Sequence, residues 1–207
     1  MRLAAFGLIA AISAATDFAP ARRLDGALPL VPGPNVVGWL EETVDLAVAE
    51  NGQVTAVTRL RGAKPPANLL APAAATWRFR PATLDRRPVG SHVLAVAIVR
   101  PPQLFDGPAL GTPPADLAAA ADDVPYPVSI PRPRYPPRAL SDAVVLVEVL
   151  VGADGRVRDA AVLQGGPGFD EEALLTARAC VFRPARRNGA LVPAYAYLVF
   201  GFRQPVT

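Results

Sequence analysis

Apolar and polar positions divide the chain into two stretches of similar pattern, separated by proline-rich sequence. In the second stretch an apolar run from Val144 to Val151 and another from Val157 to Leu163 are joined through Ala153-Asp154-Gly155. Two such runs around an Asp-Gly turn predict an antiparallel hairpin, because Gly accepts the positive φ the turn demands. Phe169, Ala173, Ala177 and Cys180 follow at spacings of three and four, which places them on one face of a helix from Phe169 to Ala179, over the sheet. Asp170 is placed to cap the exposed amides, Glu171 and Glu172 stand in the first turn, and Arg178 and Arg183 lie near the end, all matching the helix dipole. Pro184 cannot continue the helix, and Asn188-Gly189 turns the chain into a last strand from Ala194 to Arg203.

Sliding the sequence along itself finds the same plan earlier. Under one gapless shift Asn51-Gly52 falls on Asp154-Gly155, Gly62 on Gly165, Phe79-Arg80-Pro81-Ala82 on Phe182-Arg183-Pro184-Ala185, and Arg100 on Arg203. A first repeat is therefore expected over 36–100, with strands from Thr43 to Val48, Val54 to Leu60 and Val93 to Val99. Its helix is poorer. Pro72 inside a helix would cost about 3 kcal/mol, so the helix is expected to start at Pro72.

The Tyr135-Pro136-x-x-Ala139 opening, the Gly166-Pro167-Gly168-Phe169-Asp170-Glu171-x-Ala173-Leu174 helix start and Phe182-x-Pro184-Ala185 resemble the TonB C-terminal domain family over about a third of the chain. That family usually has Trp two residues before the Phe; the second repeat has Cys180 there, and the first keeps Trp77 before Phe79 and Pro81. The resemblance implies two strands, a helix and a third strand. The expected fold class is α+β: two small ββαβ domains, each a three-stranded antiparallel sheet with one helix on a face, at 36–100 and 134–204. It also implies a non-catalytic binding role, since in TonB itself the domain binds a short peptide of outer-membrane transporters.

Outside the repeats, Met1-Arg2 and an apolar run from Leu3 to Ile12 end in Ser13-Ala14-Ala15, a pattern expected of a signal peptide over 1–15, cleaved after Ala15. The apolar stretch falls short of the roughly twenty residues a bilayer requires, so a retained short anchor is the weaker reading. Residues 16–35 and 101–133 read as linkers rich in Ala and Pro, the latter with a short helix from Asp116 to Ala121 and a reach on the order of 100 Å if extended. The two domains then need not touch.

A net charge of +3 with scattered arginines gives no reason to expect nucleic acid as a partner, and a single Cys excludes an internal disulfide. Cys180 reads as a core residue. The lone His92 has no nucleophile motif or metal spacing around it, and Glu171-Glu172 are explained by the helix dipole, so no catalytic residue, metal, cofactor or small-molecule substrate is expected. Binding falls to the last strand. Alternation sets Ala196, Leu198, Phe200 and Phe202 beneath the helix and Tyr195, Tyr197, Val199 and Arg203 on the opposite face. As a sheet edge this strand would accept an extended peptide, with the tyrosines selecting side chains; the alternatives are self-pairing in a homodimer or tyrosines that only cover the sheet. The run from Val144 to Val151, apolar on both faces apart from Glu148, requires cover from the first repeat or a second chain. By resemblance the expected setting is the periplasm, and the expected partners are an outer-membrane transporter or other envelope protein, with an inner-membrane proton-motive complex if the chain is anchored.

Overall fold

The computed structural model describes residues 17–29, 39–62, 70–102 and 121–205. The expected signal segment with its cleavage point at Ala15 and most of the helix expected from Asp116 to Ala121 lie outside them. Two short strands, β1 (Phe18–Ala19) and β2 (Arg22–Asp25), precede the hairpin of β3 (Leu40–Val48) and β4 (Val54–Gly62). A single helical turn, α1 (Ala71–Ala74), leads to β5 (Arg78–Arg80), the small hairpin β6 (Ala82–Leu84) and β7 (Arg87–Val89), and the long strand β8 (Ser91–Val99). After β9 (Tyr126–Ser129) the order returns as β10 (Ala143–Val151), β11 (Val157–Gln164), α2 (Asp170–Arg178), β12 (Val181–Arg183), β13 (Ala185–Arg187), β14 (Ala190–Val192) and β15 (Ala194–Phe202).

The two halves share one six-stranded sheet in the order β11-β10-β15-β8-β3-β4. Neighbours run antiparallel except β15 and β8, which pair in parallel from Ala196 opposite Leu94 to Gly201 opposite Val99. This corrects the expectation of two separate domains on a long tether. Both third strands are buried on their two faces along almost their whole length. Strands of that kind cannot stand at an edge, where one row of amides and carbonyls stays unpaired, and pairing them with each other satisfies both rows.

Either side of the parallel pair of β15 and β8, α1 and α2 cover opposite faces of the sheet. On the α2 face, Val145, Val147, Phe200 and Phe202 pack with Phe169, Ala173 and Cys180, and the first half adds Leu94, Val96 and Ile98. On the α1 face, Val44, Leu46, Trp77 and Phe79 pack with Leu146, Tyr197 and Val199 of the second half. Each half thus covers the face that the other's single helix leaves bare.

Both expected linkers contribute strands: β2 pairs with β5 and β9 with β12, so each half begins with a segment laid beside the strand that follows its helix. Gly52 and Gly155 carry positive φ of 81° and 75°, and a Cβ on either would collide with the carbonyl oxygen of Phe79 or Phe182. Those two phenylalanines donate their amides back to the glycine carbonyls at 2.8 and 2.9 Å. The hairpin turn therefore also seats the Phe-x-Pro segment, in which Pro81 and Pro184 separate β5 from β6 and β12 from β13.

Asp170 is the first residue of α2 and accepts from the Gly166 amide at 2.9 Å, so it ties the preceding turn and does not cap the helix amides as expected. Tyr135 sets its ring edge-on to Phe169 at 5.6 Å and donates its hydroxyl to the Ser141 carbonyl at 2.8 Å, while the Ala139 amide bonds the Pro136 carbonyl at 3.1 Å. The short α1, with Pro72 in its first turn, has no capping side chain of its own; the buried Glu42 of β3 accepts the Leu70 amide at 2.7 Å instead.

Candidate partner-binding surfaces

The four residues expected to bind a partner do not line a free edge, because β15 is paired along both sides. Tyr197 is fully buried and Val199 is 2 % exposed, so neither is presented to a partner. Tyr195 is half-buried, and Arg203 lies just past the strand, paired with Asp142 at 3.1 Å. Tyr195, Tyr197 and Val199 do lie on the face opposite α2, and the first half of the chain occupies that face.

The contact is specific. The Tyr197 ring meets Trp77 and Phe79 edge-on, with centroids 5.8 and 5.9 Å away. Its hydroxyl donates to Glu148 Oε2 at 3.1 Å and accepts from the Arg23 amide at 2.6 Å. Burial pushes the Tyr197 phenol far above its usual range, which keeps the hydroxyl a donor. Glu148, 4 % exposed, takes Arg22 Nε at 3.0 Å and Nη2 at 2.9 Å. The hydrogen bond and charge of Glu148 raise the Arg22 pKa, and the Arg22 guanidinium also lies 5.4 Å over the Tyr195 ring. Arg23 stacks 4.7 Å over Trp77, whose indole Nε1 donates to the Ala27 carbonyl at 2.7 Å. Residues 21–27 thus lie as a strap across the tyrosine face. A cleft of about 420 Å³ opens beside it, lined by Ala19, Pro20, Arg80, Pro81, Thr83 and Tyr195.

A linker reading of Arg22-Arg23 missed this cluster. Its one signal in the sequence was Glu148, the single acid in an otherwise apolar strand, which needs a buried partner.

A second polar group sits at the start of β8. His92 Nδ1 lies 2.9 Å from Asp45 Oδ1, the His92 amide donates to Asp123 Oδ2 at 3.1 Å, and Arg187 approaches Asp123 at 4.0 Å. The Asp45 hydrogen bond raises the His92 pKa, against an opposing effect of burial. This cluster fastens residues 121–124 across both halves.

The outer strands β4 and β11 each pair along one side in the six-stranded sheet, apart from single bridges, Gln53 to Arg78 and Arg156 to Val181, at their starts. On β11 Arg158, Asp159, Ala161 and Leu163 are exposed, and α2, which packs against that strand, exposes Leu175. Cys180 is 1 % exposed and its thiol is pushed up to about 12 by burial, so it is a core side chain and not a reactive one. Among the described residues no cluster of His, Cys, Asp or Glu could hold a metal ion, and no helix is long and apolar enough to cross a membrane.

No curated protein matches the chain. Residues 131–203, from the Tyr135-Pro136 opening through α2 to the end of β15, about a third of the chain, match the family described as Gram-negative bacterial TonB protein C-terminal, a family of non-catalytic interaction domains of the Gram-negative envelope.

Proposed function

We propose that this chain is a periplasmic, non-catalytic TonB-like protein that engages an outer-membrane transporter or another envelope protein by strand addition at β11. The observation that carries the reading is that β11 is the outer strand of the family-matched segment and, among the described residues, pairs with no strand on its other side, beside exposed Leu163. An extended peptide added there draws affinity from main-chain hydrogen bonds worth about 1 kcal/mol each, so short peptides bind weakly, around micromolar. The first half is a diverged copy of the second and serves as its cover. With Leu3 to Ile12 retained as an anchor, the chain transmits force from an inner-membrane proton-motive complex.

The test is site-specific photocrosslinking in a Gram-negative host from Leu163 on β11, with Leu191 on β14 as an exposed control. Crosslinks to an outer-membrane protein from Leu163 alone are the expected result. Crosslinks from Leu191 and none from Leu163 would overturn the placement.

A second reading, a soluble envelope scaffold without energy coupling, is favoured by one feature: the third strands close on each other inside the chain. Mass spectrometry of the mature N-terminus separates the two. A membrane-bound chain keeping Leu3 to Ile12 supports transduction, and a soluble chain starting at Thr16 supports the scaffold.

A further inference from the structure

We infer that the face beneath the strap is a binding site for an extended peptide of a protein partner that carries adjacent arginines, and that Arg22-Arg23 is its resident occupant. The site supplies what such a peptide needs. Glu148 offers a buried carboxylate that takes Nε of one guanidinium on both oxygens and its Nη2 on Oε1, Tyr195 and Trp77 offer ring faces to two, and the Tyr197 hydroxyl accepts a main-chain amide. The edge of β5 supplies the strand pairing, with Arg22 opposite Arg80, Arg23 opposite Phe79 and Asp25 opposite Arg78.

The fold does not demand this chemistry. In the other half the residues opposite Arg183 and Phe182 are Tyr126 and Pro127, and the positions of Glu148, Tyr195, Tyr197 and Trp77 are filled by Asp45, His92, Leu94 and Cys180. One half closes its equivalent position with a segment, residues 121–129, that itself carries no arginine, so the acidic and aromatic set belongs to a recognition site.

The resident segment also fits incompletely. Arg23 Nε is buried with no hydrogen-bond partner among the described residues, Arg22 stays 44 % exposed and Leu24 is 65 % exposed. The strap lies outside the six-stranded sheet and can leave without breaking that sheet. A partner segment that satisfies every donor competes with it, and release uncovers Tyr195, Tyr197 and Glu148. This inference stands apart from strand addition at β11, because failure of the Leu163 crosslinks leaves the following titration unaffected.

The test uses the full chain carrying Arg22→Ala and Arg23→Ala, titrated with a fluorescent synthetic peptide of residues 17–27 and followed by polarisation. The peptide is expected to bind this variant saturably and about tenfold or more tighter than it binds the wild-type chain, whose own strap competes. Replacing both arginines of the peptide by alanine, or adding Glu148→Gln to the variant, should weaken binding by about tenfold, the loss expected of a charge-assisted pair. Absence of saturable binding, or equal binding of the alanine peptide, overturns the inference. Should the variant fail to fold by circular dichroism, hydrogen exchange of the wild-type chain decides. Amides of Arg23 and Leu24 exchanging well ahead of those in β15 support a detachable strap, and exchange of both sets only together overturns it. A wild-type dimer that exchanges straps between copies, seen by light scattering, overturns a foreign occupant.

Discussion

At the scale of single residues, stability concentrates where the halves meet. Tyr197→Phe removes the acceptor of the Arg23 amide and one donor to Glu148, and we expect a loss of about 1–2 kcal/mol in urea unfolding. Arg22→Ala leaves Glu148 buried with Tyr197 as its remaining hydrogen-bond partner among the described residues, yet Arg22 is 44 % exposed, so its loss should also be about 1–2 kcal/mol and not the larger figure of a fully buried pair. Unchanged urea midpoints in both variants would show that the polar cluster contributes nothing to stability. His92 gives a pH dependence of known sign. Its folded pKa is raised above the unfolded value of 6.5, so the contribution of the Asp45 pair is full below that value and is lost as pH rises through the folded pKa. The difference in stability between wild type and His92→Gln should therefore be larger at about pH 5.5 than at about pH 8.5, by less than about 1 kcal/mol because the ring is part-exposed. A difference that does not change with pH would exclude the charged pair.

At the scale of elements, the two hairpins carry a shared device, a glycine turn against the carbonyl of the strand after the helix. Gly52→Ala and Gly155→Ala each combine a left-handed backbone with a Cβ in collision with Phe79 or Phe182. Each should cost about 2 kcal/mol or more, above the cost of the backbone conformation alone. Thermal unfolding of both variants tests this, and a loss below about 1 kcal/mol would mean that the turns relax freely. The helices are unequal for reasons written in their residues. The nine residues of α2 present Ala173 and Ala177 inward with acids in the first turn, while α1 is cut to four residues around Pro72 and leans on Glu42.

At the scale of the whole molecule, the interleaved cores predict one cooperative unit. Circular dichroism and intrinsic fluorescence should give coincident urea transitions, since Leu94, Val96 and Ile98 pack in the core of the second half and Tyr197 and Val199 in that of the first. Residues 121–205 expressed alone should not be a folded monomer. Removing β8 bares one side of β15 together with Leu146, Tyr197 and Val199, and such an edge self-associates or unfolds. Light scattering of that fragment decides, and a monomer with a dispersed NMR spectrum would refute the shared core.

The order of strand, turn, strand, helix and strand in each half was legible because it rests on local chemistry: period-two apolar runs, Asn51-Gly52 and Asp154-Gly155, the helical spacing from Phe169 to Cys180, and Pro184 at its end. The inward and outward faces of β15 were legible for the same reason, since alternation is a property of one strand. What covers the outward face was not. Pairing of β15 with β8, the placement of Arg22-Arg23 on Glu148, and the conversion of linker into β2 and β9 depend on contacts between segments far apart in sequence. No local pattern encodes them. The apolar surplus of the strand from Val144 to Val151 required a cover, and only the tertiary structure decided that it is the chain's own first half, because burying two bare faces and two open edges against each other satisfies both at once.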